Sequence, residues 1–193
     1  MTIWCRVQEH PPVITIRMND DAADALGLLV GDAPPDAYPE LDDQLREMLA
    51  RGLTRNDDAL VFVINDRGGA KLTAGSRDAM ARMGWDTTQY ECQASSFHLE
   101  DHAPVTVDVV DRDLYISRED QVLMLRLGLR VADGVGRLVR SLPDPVPVRC
   151  IIGAGPTNGT FRLHQLREGE SWLVDDLDRY HDEMLVVVDI EPG

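Results

Sequence analysis

SREDQVLMLRLGLRVADGVGRLVRSL, residues 117–142, decides the fold of this chain because it reads in two incompatible ways. Leu123, Leu125, Leu127, Leu129 and Val131 fall on alternate positions, as in a half-buried strand. Leu123, Leu127, Val131, Val135, Leu138 and Leu142 recur at helical steps and would line one face of a helix. Gly128, Gly134 and Gly136 oppose the helix, each by about 1 kcal/mol in a helix interior. Ser117 with Asp120 three residues on makes a capping box, imperfect because Asp stands where Glu or Gln is usual. The stretch is also far longer than an ordinary strand. Cap and length favour a helix to Leu142.

Upstream of this helix, Val105–Val110 and Leu114–Ile116, joined by Asp111-Arg112-Asp113, read as a hairpin. Downstream, after Pro143, Pro145 and Pro147, come four strand-like runs: Val148–Ile152, Thr160–Leu166, Ser171–Val174 and Met184–Ile190. Nearer the N-terminus, Val13–Met18 alternates as a strand, and Asn19 caps a helix from Asp20 to Val30, with Gly31 as its stop and Pro34-Pro35 as a stiff link. Pro39 opens a helix to Arg51 that Gly52 ends. Ala59–Asn65 (ALVFVIN) has the continuous apolar character of a strand buried on both faces. Asp66–Gly69 is a turn, and Thr73 caps a helix through Met83. The polar segment Trp85–Ala103 reads as irregular, a loop or subdomain seam. Runs of strands interleaved with helices predict a single α+β domain over residues 1–193, with mostly antiparallel sheet, three or four helices and a seam at 85–103.

The charge bears on partners. The 193 residues carry 34 acidic against 19 basic side chains, a net of −15, and Lys71 is the lone lysine. Arg167–Gly193 holds nine carboxylates against Arg167 and Arg179, a net of −7. Such a field repels phosphate backbones and attracts cationic surfaces, so nucleic acid is disfavoured as a partner and a basic or amphipathic protein is favoured. No apolar window is long enough for a membrane span, and MTIWCRVQEHPP lacks the layout of a signal peptide; the expectation is a cytoplasmic protein that does not use a membrane. Cys5, Cys92 and Cys150 are odd in number and widely spaced, which suits free thiols in a reducing compartment. The apolar final strand, Leu185–Ile190, could pair across a homodimer if it lies at a sheet edge.

Several constellations suggest chemistry. Gly153-Ala154-Gly155-Pro156-Thr157-Asn158-Gly159 has the composition of a phosphate loop, but it leads into the strand-like Thr160–His164 instead of a helix N-terminus, so a hairpin loop is the better reading. Cys92, His98 and His102 mix thiol and imidazole at a spacing that lacks any paired Cys-x2-Cys or His-Glu-x-x-His signature, so neither metal nor cofactor is expected. The same Cys92–His102 loop is where a small hydrolase or transferase would place a nucleophile and base.

Asp175-Asp176-Leu177-Asp178-Arg179-Tyr180-His181-Asp182-Glu183 is the strongest local anomaly. It lacks the Gly and closing Glu of a calcium loop. As a solvated loop it would be unremarked, but flanking aromatics make it resemble an interaction surface: Trp172 and Tyr180 as apolar anchors, with Asp175, Asp176, Asp178, Asp182 and Glu183 as the steering charge. The function this supports is a non-enzymatic binding module, of the kind found in immunity proteins, antitoxins or secretion chaperones.

Leu41–Arg51, Gly52-Leu53-Thr54, Leu60–Ile64 and Lys71-Leu72-Thr73 with the helix after it resemble the recognition helix and wing of MarR-type regulators. That resemblance covers under a quarter of the chain and implies a winged-helix-like N-terminal half and, as an alternative function, a transcription regulator reading DNA through Arg46, Arg51, Arg55, Arg67 and Lys71. The helix departs from the pattern by carrying Glu40, Asp42, Asp43 and Glu47, where phosphate contacts need Lys and Arg. The same order of elements is similar to one half of the EspG-type chaperones of type VII secretion.

Overall fold

The computed structural model describes residues 13–27, 38–63, 82 and 84–192, and residues 118–141 are helical in it. In chain order the elements are β1 (Val13–Met18), α1 (Asp20–Leu26), α2 (Asp43–Arg51), β2 (Leu53–Asn56), β3 (Ala59–Phe62), α3 (Thr87–Ala94), β4 (Phe97–His98), β5 (Val107–Val110), β6 (Asp113–Ile116), α4 (Arg118–Ser141), β7 (Val148–Ala154), β8 (Gly159–Gln165), a 3-10 turn at Leu177–Arg179, and β9 (Met184–Glu191). The fold is α+β, with four helices among the described residues and a main antiparallel sheet ordered β1-β9-β7-β8-β4.

The helix wins residues 118–141 because its N-terminus is satisfied and its glycines face neighbours. Ser117 Oγ accepts the N–H of Asp120 at 3.1 Å, and Glu119 and Asp120 lie in the first turn, where the helix dipole favours negative charge. A Cβ at Gly128 would overlap Ile152 Cγ2 of β7, and one at Gly134 would lie 2.6 Å from Leu49 Cδ1 of α2. The missing methyls let α4 sit close against the sheet on one side and α2 on the other. Its buried face, including Met124, Leu127, Val131 and Val135, joins Ile152, Phe161, Leu163, Val186 and Val188 in the main core.

Side chains alternate between the two faces of the sheet, so the register divides it cleanly. Cys150, opposite Val188 and Leu163, looks toward α4; Ile151, opposite Val187 and Arg162, looks the other way. That second face carries a smaller core of Cys92, Ile151, Leu177, Leu185 and Val187, packed under Trp172, Leu173 and Tyr180. The sheet is thus sandwiched between α4 on one side and, on the other, α3, which supplies Cys92, together with the long connection from β8 to β9.

Several local expectations change. The first helix stops at Leu26, short of Val30, and Gly27 follows at φ 70°. The second begins at Asp43, not Pro39, because Asp42 takes the cap and its Oδ1 accepts the N–H of Leu45 at 2.7 Å; Gly52 ends it at φ 84°, as expected. Ala59–Phe62 is the strand within Ala59–Asn65, one arm of a ribbon with β2 turned at Asp57 (φ 57°), and its Ala59, Leu60 and Phe62 are buried, as expected of a strand covered on both faces. The segment expected to be irregular contains α3, closed by a full capping box between Asp86 and Gln89, and then β4. Two of its polar residues are turned inward: Glu91 and Thr88 are fully buried. Ser171–Val174 forms no strand, and β9 lies between β1 and β7, so the final strand offers no free edge for a dimer. The hairpin at β5–β6 and the β7–β8 hairpin around Gly155 are as expected, the latter closed by Gly155 N–H to Asn158 O at 2.9 Å. The readings of Gly31, Pro34-Pro35, Asp66–Gly69 and the helix from Thr73 to Met83 fall outside the described residues.

Candidate protein-binding surface

The acidic segment is fixed to the rest of the protein by one asparagine. Asn19, 3% exposed between β1 and α1, donates from Nδ2 to the carbonyls of Tyr180 and Glu183 at 3.1 and 2.9 Å. Its Oδ1 accepts the N–H groups of Ala22 and Leu185 at 3.1 and 3.0 Å. The same side chain therefore caps α1, starts β9 and holds the segment before β9 in place. Asp178 completes the junction, its Oδ1 accepting the N–H of Asp20 at 2.7 Å. A carboxylate there answers an otherwise unsatisfied donor in the first turn of α1.

The aromatics serve this anchoring. Trp172 is partly buried, with the Arg162 guanidinium 5.5 Å from its ring centre, and Tyr180 accepts the N–H of Val174 through its hydroxyl at 3.2 Å. Both pack on the second core with Leu177. Asp175, Asp176, Asp178 and Asp182 are exposed, and among the described residues none of them forms an ion pair with an arginine. Asp178 meets the first turn of α1, and Asp182 lies beside Gly155 of the β7–β8 turn. Asp175 reaches the field of Arg149, whose guanidinium is held above the usual arginine range chiefly by its hydrogen bonds to Asp189. Glu183 differs from the others: it is largely buried, over Gly153 of β7, and burial pushes its carboxyl above the ordinary 4.5 despite the nearby Arg162.

Sequence spacing did not foresee the contribution of α1. Asp20 meets Asp178, and Asp20, Asp21 and Asp24 are all exposed on α1, so the exposed carboxylates extend beyond the C-terminal segment, relieved in part by Arg118, whose Nη2 lies 2.7 Å from Asp21 Oδ1. The available signal was the run Asn19-Asp20-Asp21, read only as a cap. A groove of about 550 Å³ separates Arg179–Glu183 from the Gly155–Asn158 turn, and that turn accepts the N–H of Ile116 on Pro156 O at 2.7 Å. The acidic segment, the β7–β8 turn and the base of the β5–β6 hairpin are therefore neighbours at one end of the sheet.

The other candidate groups are dispersed. Cys92 packs against Ile151 and Val187, and burial pushes its thiol up to about 12, far from a reactive thiolate. His98 is exposed and pairs with Glu100 at 3.0 Å, whereas His102 pairs with Asp42 at 2.9 Å and stacks edge-on against Phe97. Among the described residues no group of three His, Cys, Asp or Glu side chains could hold a metal. Of the arginines assigned to a DNA-reading face, Arg46 pairs with Asp43, Arg51 with Glu47 and Arg55 with Asp144; Arg67 and Lys71 lie outside the described residues. Among the described residues no helix is long and apolar enough to cross a membrane.

The described residues define an α+β protein whose antiparallel sheet carries, over one side, a segment with four exposed aspartates. A family model described as "Uncharacterized protein PM0498 family" matches residues 35–192, and the chain belongs to that family. No curated protein and no solved structure matches it.

Proposed function

We propose that this protein is a non-enzymatic binding module, immunity-, antitoxin- or chaperone-like, that engages a basic or amphipathic protein through its acidic C-terminal surface. The observation that carries the reading is the state of Asp175, Asp176, Asp178 and Asp182: exposed and free of arginine partners among the described residues, on a segment that Asn19 and Leu177 hold rigidly. Charges displayed on an ordered scaffold steer association without the ordering cost of a flexible tail. The dispersal of Cys92, His98 and His102 removes support from catalysis in that loop. The local pairing of Arg46, Arg51 and Arg55 does the same for a DNA-reading face.

The test is capture of partners from the native lysate by the wild-type protein and by a variant with all four aspartates changed to asparagine. The expected result is a basic protein retained at low ionic strength, released by salt, and lost to the variant. A complex indifferent to both salt and the four substitutions would overturn the acidic-surface reading.

A further inference from the structure

The β5–β6 hairpin exposes apolar side chains that the fold itself does not use. Val107, Val109 and Leu114 are 42, 70 and 53% exposed, and the pairing of Val107 with Ile116 and Val109 with Leu114 places them on the same face of the ribbon. The ribbon pairs with no other strand among the described residues. Its two-residue turn, with Asp111 and Arg112 at φ 53° and 79°, closes on the Val110–Asp113 pair. In such a hairpin the closing pair exchanges its main-chain hydrogen bonds inward, and alternate residues point theirs outward. Ile116 obeys this rule, since its N–H leaves the ribbon for Pro156 O. By the same alternation Val107 and Val109 turn their N–H and C=O groups toward the open edge of β5. Natural sheets blunt or cover such edges; this one combines free main-chain groups with an uncovered apolar face.

We infer that the open edge of β5 binds an extended segment of a partner protein in which apolar residues alternate with lysine or arginine. The occupant follows from the two faces of the ribbon. An added strand would set alternate side chains over Val107, Val109 and Leu114, and the intervening ones on the opposite face, where Asp108 and Asp113 are exposed beside Val110 and Tyr115. Apolar residues fit the first face; lysine or arginine fits the second, its aliphatic stem against Val110 or Tyr115 and its charge at Asp108 or Asp113. A second copy of this chain is disfavoured, because each copy carries a net charge of −15 and would bring aspartates against aspartates. The inference deepens the proposed binding function and rests on it: the outer edge of β6 is tied to Pro156, in the turn beside Asp182 and Glu183, which fixes the ribbon to the acidic end of the sheet and leaves the edge of β5 open on its other side.

The experiment uses the full chain and a synthetic peptide of alternating valine and lysine, with alternating valine and glutamate as the control. Binding is read by fluorescence anisotropy and by amide hydrogen exchange. The expected result is binding of the lysine peptide alone, with exchange slowed at Val107 and Val109. Val109→Pro removes an outward N–H while sparing the inward ladder, and should weaken the peptide by about tenfold. The double variant Val107→Thr/Val109→Thr keeps strand propensity and every N–H but strips the apolar face, and serves if the proline variant does not fold. Binding that protects neither amide, or that both variants leave unchanged, overturns the inference. So does dimerisation abolished by Val109→Pro, which would make the occupant a second copy. If the four-asparagine variant loses the native partner while Val109→Pro keeps it, the hairpin site fails and the acidic surface stands. If the peptide protects Val107 and Val109 in both the wild type and the four-asparagine variant, the hairpin site stands even where the acidic surface fails.

Discussion

Arg167 and Glu91 form a two-pronged ion pair beneath the connection from β8 to β9, Nη1 to Oε2 and Nη2 to Oε1, each at 2.7 Å. Glu91 is fully buried on α3, and its oxygens also accept the N–H groups of Leu60 at 2.5 Å and Gln165 at 2.8 Å. One carboxylate thus ties α3, β3 and the end of β8 together. A buried pair adds little over a well-packed apolar pair, but removing one partner leaves the other charge stranded. Arg167→Ala should therefore destabilise the protein by about 3–5 kcal/mol. Urea unfolding monitored by circular dichroism would show it as a lower midpoint with unchanged slope, and a loss under 1 kcal/mol would mean that water reaches Glu91.

Two glycines of the same helix should respond in opposite directions to the same substitution. Alanine is favoured over glycine in a helix interior by about 1 kcal/mol. At Gly136 the new methyl would meet Ile190 Cδ1 at 3.7 Å, an ordinary contact, so Gly136→Ala should stabilise by up to that amount. At Gly128 it would overlap Ile152 Cγ2 and sit 3.3 Å from that residue's Cβ, which no rotamer change can move. Overpacking costs about 1–3 kcal/mol and exceeds the propensity gain, so Gly128→Ala should lower the melting temperature. Equal shifts in the two variants would show that α4 does not lie against β7 as described.

These glycines also explain how much of the fold was legible in the sequence. Ser117 and the spacing of Leu127, Val131 and Val135 carried the helix, because a cap and a repeat are local signals. What Gly128 and Gly134 face depends on Ile152 and Leu49, which are distant in sequence, so they registered only as a cost. The polar look of Trp85–Ala103 misled for the same reason: Glu91 reads as solvent-exposed until Arg167, 76 residues away, is brought to it. The segment Asp175–Glu183 was visible as composition. Its attachment through Asn19 and its extension onto Asp20 were not, since both arise from β1 pairing with β9.

Glu183 gives a pH dependence of definite sign. Burial raises its folded pKa above the ordinary 4.5, so the native state binds its proton more readily than the unfolded chain does. The contribution is favourable below the unfolded pKa and is lost as pH rises through the folded value. Glu183→Gln removes the charge but keeps the shape. The variant should be more stable than the wild type at pH 7, and the difference should vanish below pH 4.5. Thermal melts across that range would check it; a variant less stable at pH 7 would mean that the attraction of Arg162 outweighs burial.

Cys92 and Cys150 test whether both faces of the sheet are closed. Cys150 is fully buried toward α4 and Cys92 is fully buried beneath Leu177, so both thiols lie on the inner surfaces of the two cores. Burial pushes the Cys92 thiol up to about 12 and raises that of Cys150 as well, leaving almost no thiolate at neutral pH. Alkylation of the native protein, followed by peptide mapping, should leave both unmodified until the chain unfolds. The two sites report separately. Early labelling at Cys92 with Cys150 protected would mean that the second face opens, at α3 or at the Trp172–Tyr180 connection, while α4 stays docked. Where the connection is what lifts, read by amide exchange in Trp172–Tyr180, the acidic surface is mobile and its partner bears the cost of ordering it.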